Sequence, residues 1–338
     1  MSVIDSGAES FVGLPMPSSK ELVLDPALRP RIRHEGERRF PFPVPNGWFI
    51  VARADELAPG DIKPVHYFGR DLVVFRTATG DARVLDAYCA HLGANFATGG
   101  RIDGESIVCP FHGWCYDGTS GRCTDIPYAE GERVPSQAKV RAFPTIERNR
   151  MIWAWHHLAA GDPFYEVPTV GEFDDPEWSE PVFRDYLVAT CCQEMAENNH
   201  DFAHFKYVHG TDDIPWDTHV IDGPYKRVEA NEGTFIRETF GLGLGVLRTP
   251  GAFAFLSSTT PIDEEHVHVR WTFATPRSLG EGAPTEIADS FLSGVSQDIP
   301  IWENKAYQQR PVLTKEEKGI LDHRAWAQQF YSDPAEAI

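Results

Sequence analysis

Cys89-Ala90-His91 and Cys109-Pro110-Phe111-His112 gather two thiols and two imidazoles in two short pairs with 17 residues between them. Two thiolates on one iron and two imidazoles on the other are the ligands of a [2Fe-2S] cluster whose potential lies above that of an all-cysteine cluster. A buried thiol or a satisfied core histidine is the commoner fate of any one such residue, but not of four so arranged. Each pair is followed by a glycine, Gly93 or Gly113, which lets the loop turn tightly and bring backbone N–H groups near the sulfurs. The rival is structural zinc, which a Cys2His2 set can bind tetrahedrally. Zinc fingers, however, place their histidines together after both cysteines, about three to five residues apart.

A second constellation runs from Glu197 and Asn198 through Asp201, His204 and His209 to Gly210. Asp201 and His204 are three apart and share a face on a helix. His204 and His209 are five apart, which on a continuous helix would splay them by about 140°. The helix must therefore bend or end before Gly210 if both are to meet one metal. Two histidines and a carboxylate form the facial triad of non-haem Fe(II) oxygenases, which leaves positions open for dioxygen. The carboxylate has no tight local motif, and Asp289, Asp298 and Glu303 are the candidates. His200 points elsewhere on the helix and is expected to be structural.

The elements that must position these residues are short strands and a few helices. The 338 residues suit roughly two domains. Residues 1–44 read as an arm, since Pro41, Pro43 and Pro45 before Asn46-Gly47 exclude a helix. Residues 45–157 read as an antiparallel β domain with strands near 71–75, 82–85, 107–108, 114–116 and 151–155 and the cluster loops at one end. A proline- and acid-rich connector follows over 158–181, and 182–338 reads as the second domain. It should open with a strand over 183–190 and a helical stretch over 193–207, continue in strands from 216 to 273, and close with helices near 285–308 and from Thr314. Thr314-x-x-Glu317 reads as a capping box. The fold class is α+β, an antiparallel sheet with helices gathered on it.

Net charge of −19, from 31 basic and 50 acidic residues, argues against nucleic-acid or anionic-membrane binding and would steer in a basic redox partner. No run approaches the ~18 apolar residues of a membrane span. Met1 to Gly13 lacks a secretory signature, so the expected location is cytoplasmic. Cys115, Cys123, Cys191 and Cys192 are expected to be free packed thiols.

The cluster loops resemble those of Rieske proteins, and of the oxygenase or ferredoxin kind: respiratory Rieske proteins carry a further, disulfide-forming cysteine in each loop, where Ala94 and Phe111 stand here. Trp114 and Tyr116 should close one side of the cluster. With the 197–209 motif downstream, the chain resembles the catalytic subunit of Rieske non-haem iron oxygenases, which implies a Rieske domain followed by a helix-grip catalytic domain. The resemblance implies that Cys89, His91, Cys109 and His112 hold the cluster and that His204 and His209 bind the catalytic iron. It points to Asp298 as third ligand, because Gln297-Asp298-Ile-Pro-Ile-Trp302 resembles the family's ligand segment. Asp201 and Asn198 are then the catalytic-site residues beside the iron, with Asp201 linking His204 to His112 of a neighbouring chain in a head-to-tail homotrimer. A reductase, with or without a ferredoxin, must bring electrons from NAD(P)H, since the chain has no nucleotide-binding Gly-x-Gly-x-x-Gly of its own.

Pro41 to Trp48, Thr260 to His268, Asp298 to Trp302 and Trp326 to Tyr331 resemble the oxygenase component of 3-ketosteroid 9α-hydroxylase and the cholesterol 7-desaturases. That implies a monooxygenase acting with O2 on a hydrophobic cyclic substrate, a steroid among the options. Oxidative desaturation and O- or N-demethylation are the alternatives within the family. An electron carrier of Rieske type is the alternative outside it, although it would have no use for His204, His209 and Asp298. The apolar strand from Ala252 to Leu256 and the glycines of Gly241-Leu-Gly-Leu-Gly245 are expected to clear space for a large ligand. His266 and His268 are expected on one strand face, packing across strands.

Overall fold

Apolar runs broken by glycine turns build the first domain of this computed structural model. The structure describes residues 38–338 except 130, 202, 211–215, 231, 334 and 336–338, so most of the expected arm lies outside the described residues. Strands β1 (Gly47–Arg53), β10 (Thr145–Arg148) and β11 (Met151–His156) form one antiparallel sheet in the order β1-β11-β10. β2 (Ile62–Tyr67), β3 (Arg70–Arg76), β4 (Ala82–Asp86) and β9 (Ala142–Phe143) form a second. A third, smaller sheet of β5 (Arg101–Asp103), β6 (Ser106–Val108), β7 (Cys115–Asp117) and β8 (Cys123–Asp125) carries the cluster loops. Its core of Phe75, Phe96, Ile107 and Tyr116 includes Cys89 and Cys109.

The second domain is one antiparallel sheet of seven strands. β12 (Val182–Val188), β13 (Trp216–Asp222), β14 (Tyr225–Ala230), β15 (Phe235–Phe240), β16 (Leu244–Thr249), β17 (Phe253–Pro261) and β18 (Val267–Ala274) lie in the order β12-β18-β17-β16-β15-β14-β13. Helix α3 (Ala283–Asn304) packs across β12 and β18, Phe291 meeting Phe253, Phe255 and Phe273. The fold is therefore α+β, an antiparallel β domain followed by a helix-on-sheet catalytic domain.

Two helical expectations need correction. The stretch over 193–207 is not continuous: α1 (Cys192–Glu197) runs into a 3-10 turn at Asn198–His200, Asp201 leaves helical geometry at φ −96° and ψ 87°, and α2 (Ala203–Tyr207) starts afresh. The last helix, α4 (Lys318–Ala327), begins after the expected capping box. Glu317 accepts from the Thr314 N–H at 2.7 Å, but the bond closes a separate turn.

The two domains share a core in which Phe49, Tyr67 and Phe68 meet Leu242, Ile262 and Val267. A Cβ on Gly243 would stand 2.3 Å from the Phe49 ring, and one on Gly241 the same distance from the Tyr165 hydroxyl. Those glycines thus make room for the first domain and the connector. The Tyr67 hydroxyl lies 2.7 Å from His268 Nδ1 and accepts from Arg270 at 3.1 Å, so His268 belongs to a buried polar joint. His266 precedes β18 and bonds Asp263 at 2.9 Å. The described end of the arm is packed. Phe40 is fully buried, and the Arg39 guanidinium donates to the carbonyls of Ala189 at 2.6 Å, Lys305 at 2.9 Å and Trp302.

Candidate active site

The two cluster loops close in the same way. Cys89 N–H donates to Ala94 O and Gly93 N–H to Cys89 O, each at 2.9 Å; Cys109 N–H donates to Trp114 O at 2.9 Å and Gly113 N–H to Cys109 O at 3.1 Å. Gly93 and Gly113 sit at φ +73° and +74°, a region costly for a residue with a Cβ. His91 and His112 approach edge to face with ring centroids 4.7 Å apart, and Trp114 stacks on His91 at 4.4 Å. Tyr116 lies 3.1 Å from Cys89 Sγ, and burial, then that contact, pushes its hydroxyl pKa up, which keeps it a neutral donor to sulfur. Both ligand cysteines are buried and free of disulfides.

Among the described residues, the one group of three or more His, Cys, Asp or Glu donors within 4.8 Å of one another is His204, His209 and Asp298. No such group is drawn from Cys89, His91, Cys109 and His112, and a donor set of two thiols and two imidazoles suits a centre with two metals, sulfur at one end and nitrogen at the other.

The three candidate iron ligands come from two segments. The backbone bonds from Val208 N to His204 O at 2.7 Å and from His209 N to Phe205 O at 3.2 Å carry α2 one turn further, and Gly210 ends it at φ +67°. This brings the His204 and His209 rings within 5.2 Å. Asp298, 6% exposed, comes from α3, two residues before Pro300, which has no N–H for the Ser296 carbonyl.

Tautomers follow from the outer bonds. His204 Nδ1 donates to the Asp201 carbonyl, and His209 Nδ1 donates to Gln297 Oε1 at 3.2 Å. In a neutral ring each Nε2 is thereby left as an acceptor. His209 Nε2 faces Asp298 Oδ2 at 3.2 Å, a spacing satisfied by a metal cation held between them or by a proton on the ring. Asn198 Nδ2 lies 3.3 Å from His204 Nε2, on the same side. Burial pushes the Asp298 carboxyl above its usual range while His209 and His204 pull it back.

Of the other carboxylates considered, Asp289 is 58% exposed and pairs with Arg184 at 2.6 Å, while Glu303 accepts from the Ala189 N–H at 3.4 Å. Asp201 meets His204 through its backbone carbonyl, not through the carboxylate that was expected to hold the ring. His200 stacks on His323 at 4.5 Å, the structural place expected for it. Gln297 was not singled out by sequence reasoning, although it adjoins Asp298.

The triad opens onto a cavity of about 430 Å³ between the sheet and α3, within the ~300–1,000 Å³ usual for small-molecule sites. Phe205, Phe235, Leu247, Phe255, Trp271 and Phe291 supply most of its apolar wall. Phe255 of the apolar strand lines the cavity, as do Gly243 and Gly245, and a Cβ added at Gly245 would meet its nearest neighbour at an ordinary 3.7 Å.

Comparison with known proteins covers both domains. The Rieske [2Fe-2S] domain family matches residues 47–144, and the 3-ketosteroid 9α-hydroxylase C-terminal domain family matches 154–331. The Caenorhabditis elegans cholesterol 7-desaturase is 31% identical over 86% of this chain and 77% of its own. The oxygenase component of 3-ketosteroid-9-alpha-monooxygenase from Rhodococcus rhodochrous is 30% identical over 91% of this chain and 89% of its own. Among solved structures, NdmA of Pseudomonas putida CBB5 shares the fold with a TM-score of 0.69 at 22% identity, covering 83% of this chain and 88% of that one.

Proposed function

The chain belongs to the Rieske non-haem iron oxygenases, in the group with a 3-ketosteroid 9α-hydroxylase C-terminal domain, and from that premise we propose that it oxidises an unactivated C–H bond of a steroid-sized ring substrate. It is the oxygenase component of a multicomponent monooxygenase. The observation that carries the substrate reading is the apolar cavity lined by His204, His209 and Asp298 at one side and by Phe255, Trp271 and Phe291 elsewhere.

In this reading Cys89, His91, Cys109 and His112 hold the cluster, and His204, His209 and Asp298 hold one iron. When bound, that iron activates dioxygen with electrons from the cluster, which a reductase, with or without a ferredoxin, replenishes from NAD(P)H. The protein's own part is positional. The aromatic wall excludes water and fixes which carbon faces the triad, and such placement dominates the selectivity of the step. The Asp201 carbonyl and Gln297 fix the rings so that both Nε2 atoms face the same point. Asn198, beside His204 Nε2, orients what approaches the open side.

Assembly as a head-to-tail homotrimer is part of the proposal. Leu92, Phe111 and Tyr128, 66%, 62% and 61% exposed, form an apolar rim at the cluster loops, and Tyr207, 84% exposed, stands beside the triad. Two unlike patches of this kind suit a heterologous ring. The Asp201 carboxylate would then reach His112 of the next copy. An electron-carrier role leaves the triad and the cavity without use.

The test is product analysis of the enzyme supplied with a reductase, comparing a 3-ketosteroid, cholesterol and a monocyclic aromatic acid. Gain of one oxygen by either steroid supports hydroxylation, and loss of two hydrogens supports desaturation, the activity named for the 7-desaturase relatives. Turnover of the monocyclic acid alone would end the steroid reading.

A further inference from the structure

Among the described residues that line the cavity, Arg237 on β15 is the one side chain besides Asp298 and the two histidines that carries a charge near neutral pH. Its strand neighbours Phe235 and Thr239 line the same wall. Across the sheet it faces Val228 and Leu247, neither of which can accept a hydrogen bond through its side chain. Arginines on the other face of these strands are all matched: Arg227 with Glu229 at 2.6 Å, and Arg248 with Glu172 and Glu238, each at 2.6 Å. Among the described residues no carboxylate pairs with Arg237. Gly245 leaves room beside it, Nη2 standing 3.9 Å from where a Cβ would be.

The surroundings deepen the positive potential. Lys226, opposite Thr239 and so on the same face as Arg237, is 2% exposed; its ammonium lies 3.4 Å from His323 Nδ1 and 3.8 Å from the Trp326 ring. Lys226 and Arg237 are both among the charges that push His323 toward its neutral form, burial being the larger cause. Burial also draws the guanidinium down to about 10, still charged at neutral pH. A chain with a net charge of −19 has thus kept an unmatched cation in the wall of its apolar cavity. An uncompensated charge in such a place is costly, and a planar carboxylate met by a guanidinium fork relieves it.

We propose that Arg237 anchors a carboxylate of the substrate, so that the compound this cavity takes is an acid whose apolar ring skeleton lies against Phe255, Trp271 and Phe291. The inference rests on the reading of the cavity as the substrate site and names a feature of its occupant. Binding to the intact holoenzyme, followed by quenching of tryptophan fluorescence, tests it with two acid and ester pairs. One pair is cholanic acid and its methyl ester; the other is 2-naphthoic acid and its methyl ester. At least one acid should bind about tenfold or more tighter than its ester, a difference of about 1.4 kcal/mol. Arg237→Met should abolish that preference while ester affinity stays within about threefold, and Arg237→Lys should retain part of it. Arg237→Gln serves if the Met variant fails to show the cluster's visible spectrum. A preference in the naphthoate pair alone sustains the anchor and removes the steroid reading. Equal affinity for acid and ester in both pairs, no binding of either acid, or a preference that survives the Met and Gln variants overturns it.

Discussion

His209 Nε2 and Asp298 Oδ2, held 3.2 Å apart, define what a substitution must do. His204→Ala or His209→Ala should remove the mononuclear iron and reduce turnover by about 100-fold or more, the upper end of what partner loss does at metal sites. The visible spectrum of the cluster should persist, because its ligands lie on other loops. Iron and labile sulfide per chain, measured together, check this; loss of sulfide in either variant would mean that the two centres are not separate. Asp201→Asn is more selective. The Asp201 carbonyl already holds His204, so the substitution leaves that bond in place and tests the carboxylate alone. The expected result is retained iron with slowed oxidation of a pre-reduced cluster in a single turnover, about 10- to 100-fold. Wild-type kinetics would make that carboxylate a surface charge. The candidate cysteine and histidine ligands were legible because each motif is local: Cys-x-His, Cys-x-x-His and His-x-x-x-x-His declare their chemistry in a few positions, whereas Asp298 was singled out only by resemblance. Arg237 and Gln297 were not, because an arginine in a strand and a glutamine on a helix acquire meaning only from what faces them across the fold.

At the scale of elements, the strand pattern was readable from alternation and turns, while the helical stretch over 193–207 was misjudged. A 3-10 turn at Asn198–His200 and a non-helical Asp201 interrupt it before α2 begins. The glycine run at 241–245 was legible only in part: Gly243 and Gly245 line the cavity, but sequence shows the missing side chains and not which neighbour fills their place. The contrast yields a stability prediction. Gly243→Ala forces a Cβ to 2.3 Å from Phe49 and should cost about 1–3 kcal/mol, as overpacking does, in urea unfolding. Gly245→Ala meets nothing closer than 3.7 Å, should leave stability within about 0.5 kcal/mol, and should instead weaken binding of bulky ligands. Equal destabilisation by the two would refute this division of the run.

Across the whole molecule, stability should fall on the acid side through buried imidazoles. Burial draws His156 down to about 3 and His268 to about 4, both below the ~6.5 of a free imidazole. Between those values the unfolded chain binds protons that the folded chain refuses. Stability is therefore complete above about pH 6.5 and is lost as pH falls, by up to about 1.4 kcal/mol per pH unit for each ring. His156→Gln, whose amide can still donate to the Pro45 carbonyl that His156 contacts at 3.1 Å, should flatten the pH dependence of unfolding by about one proton; an unchanged slope would exclude His156 as a source. His268 is the more telling ring, since Tyr67 and Thr260 tie the two domains together around it, Thr260 donating to the Ile50 carbonyl at 2.8 Å. That joint, with Phe49 seated over Gly243, bears on chimeras assembled from relatives. A crossover in the connector would separate residues that must travel as a matched set, so an exchanged cluster domain should fold poorly unless positions 49, 67 and 68 come with partners for 243 and 268. Recombination breakpoints inside a single sheet, away from this seam, should be tolerated better than a cut at the apparent domain boundary.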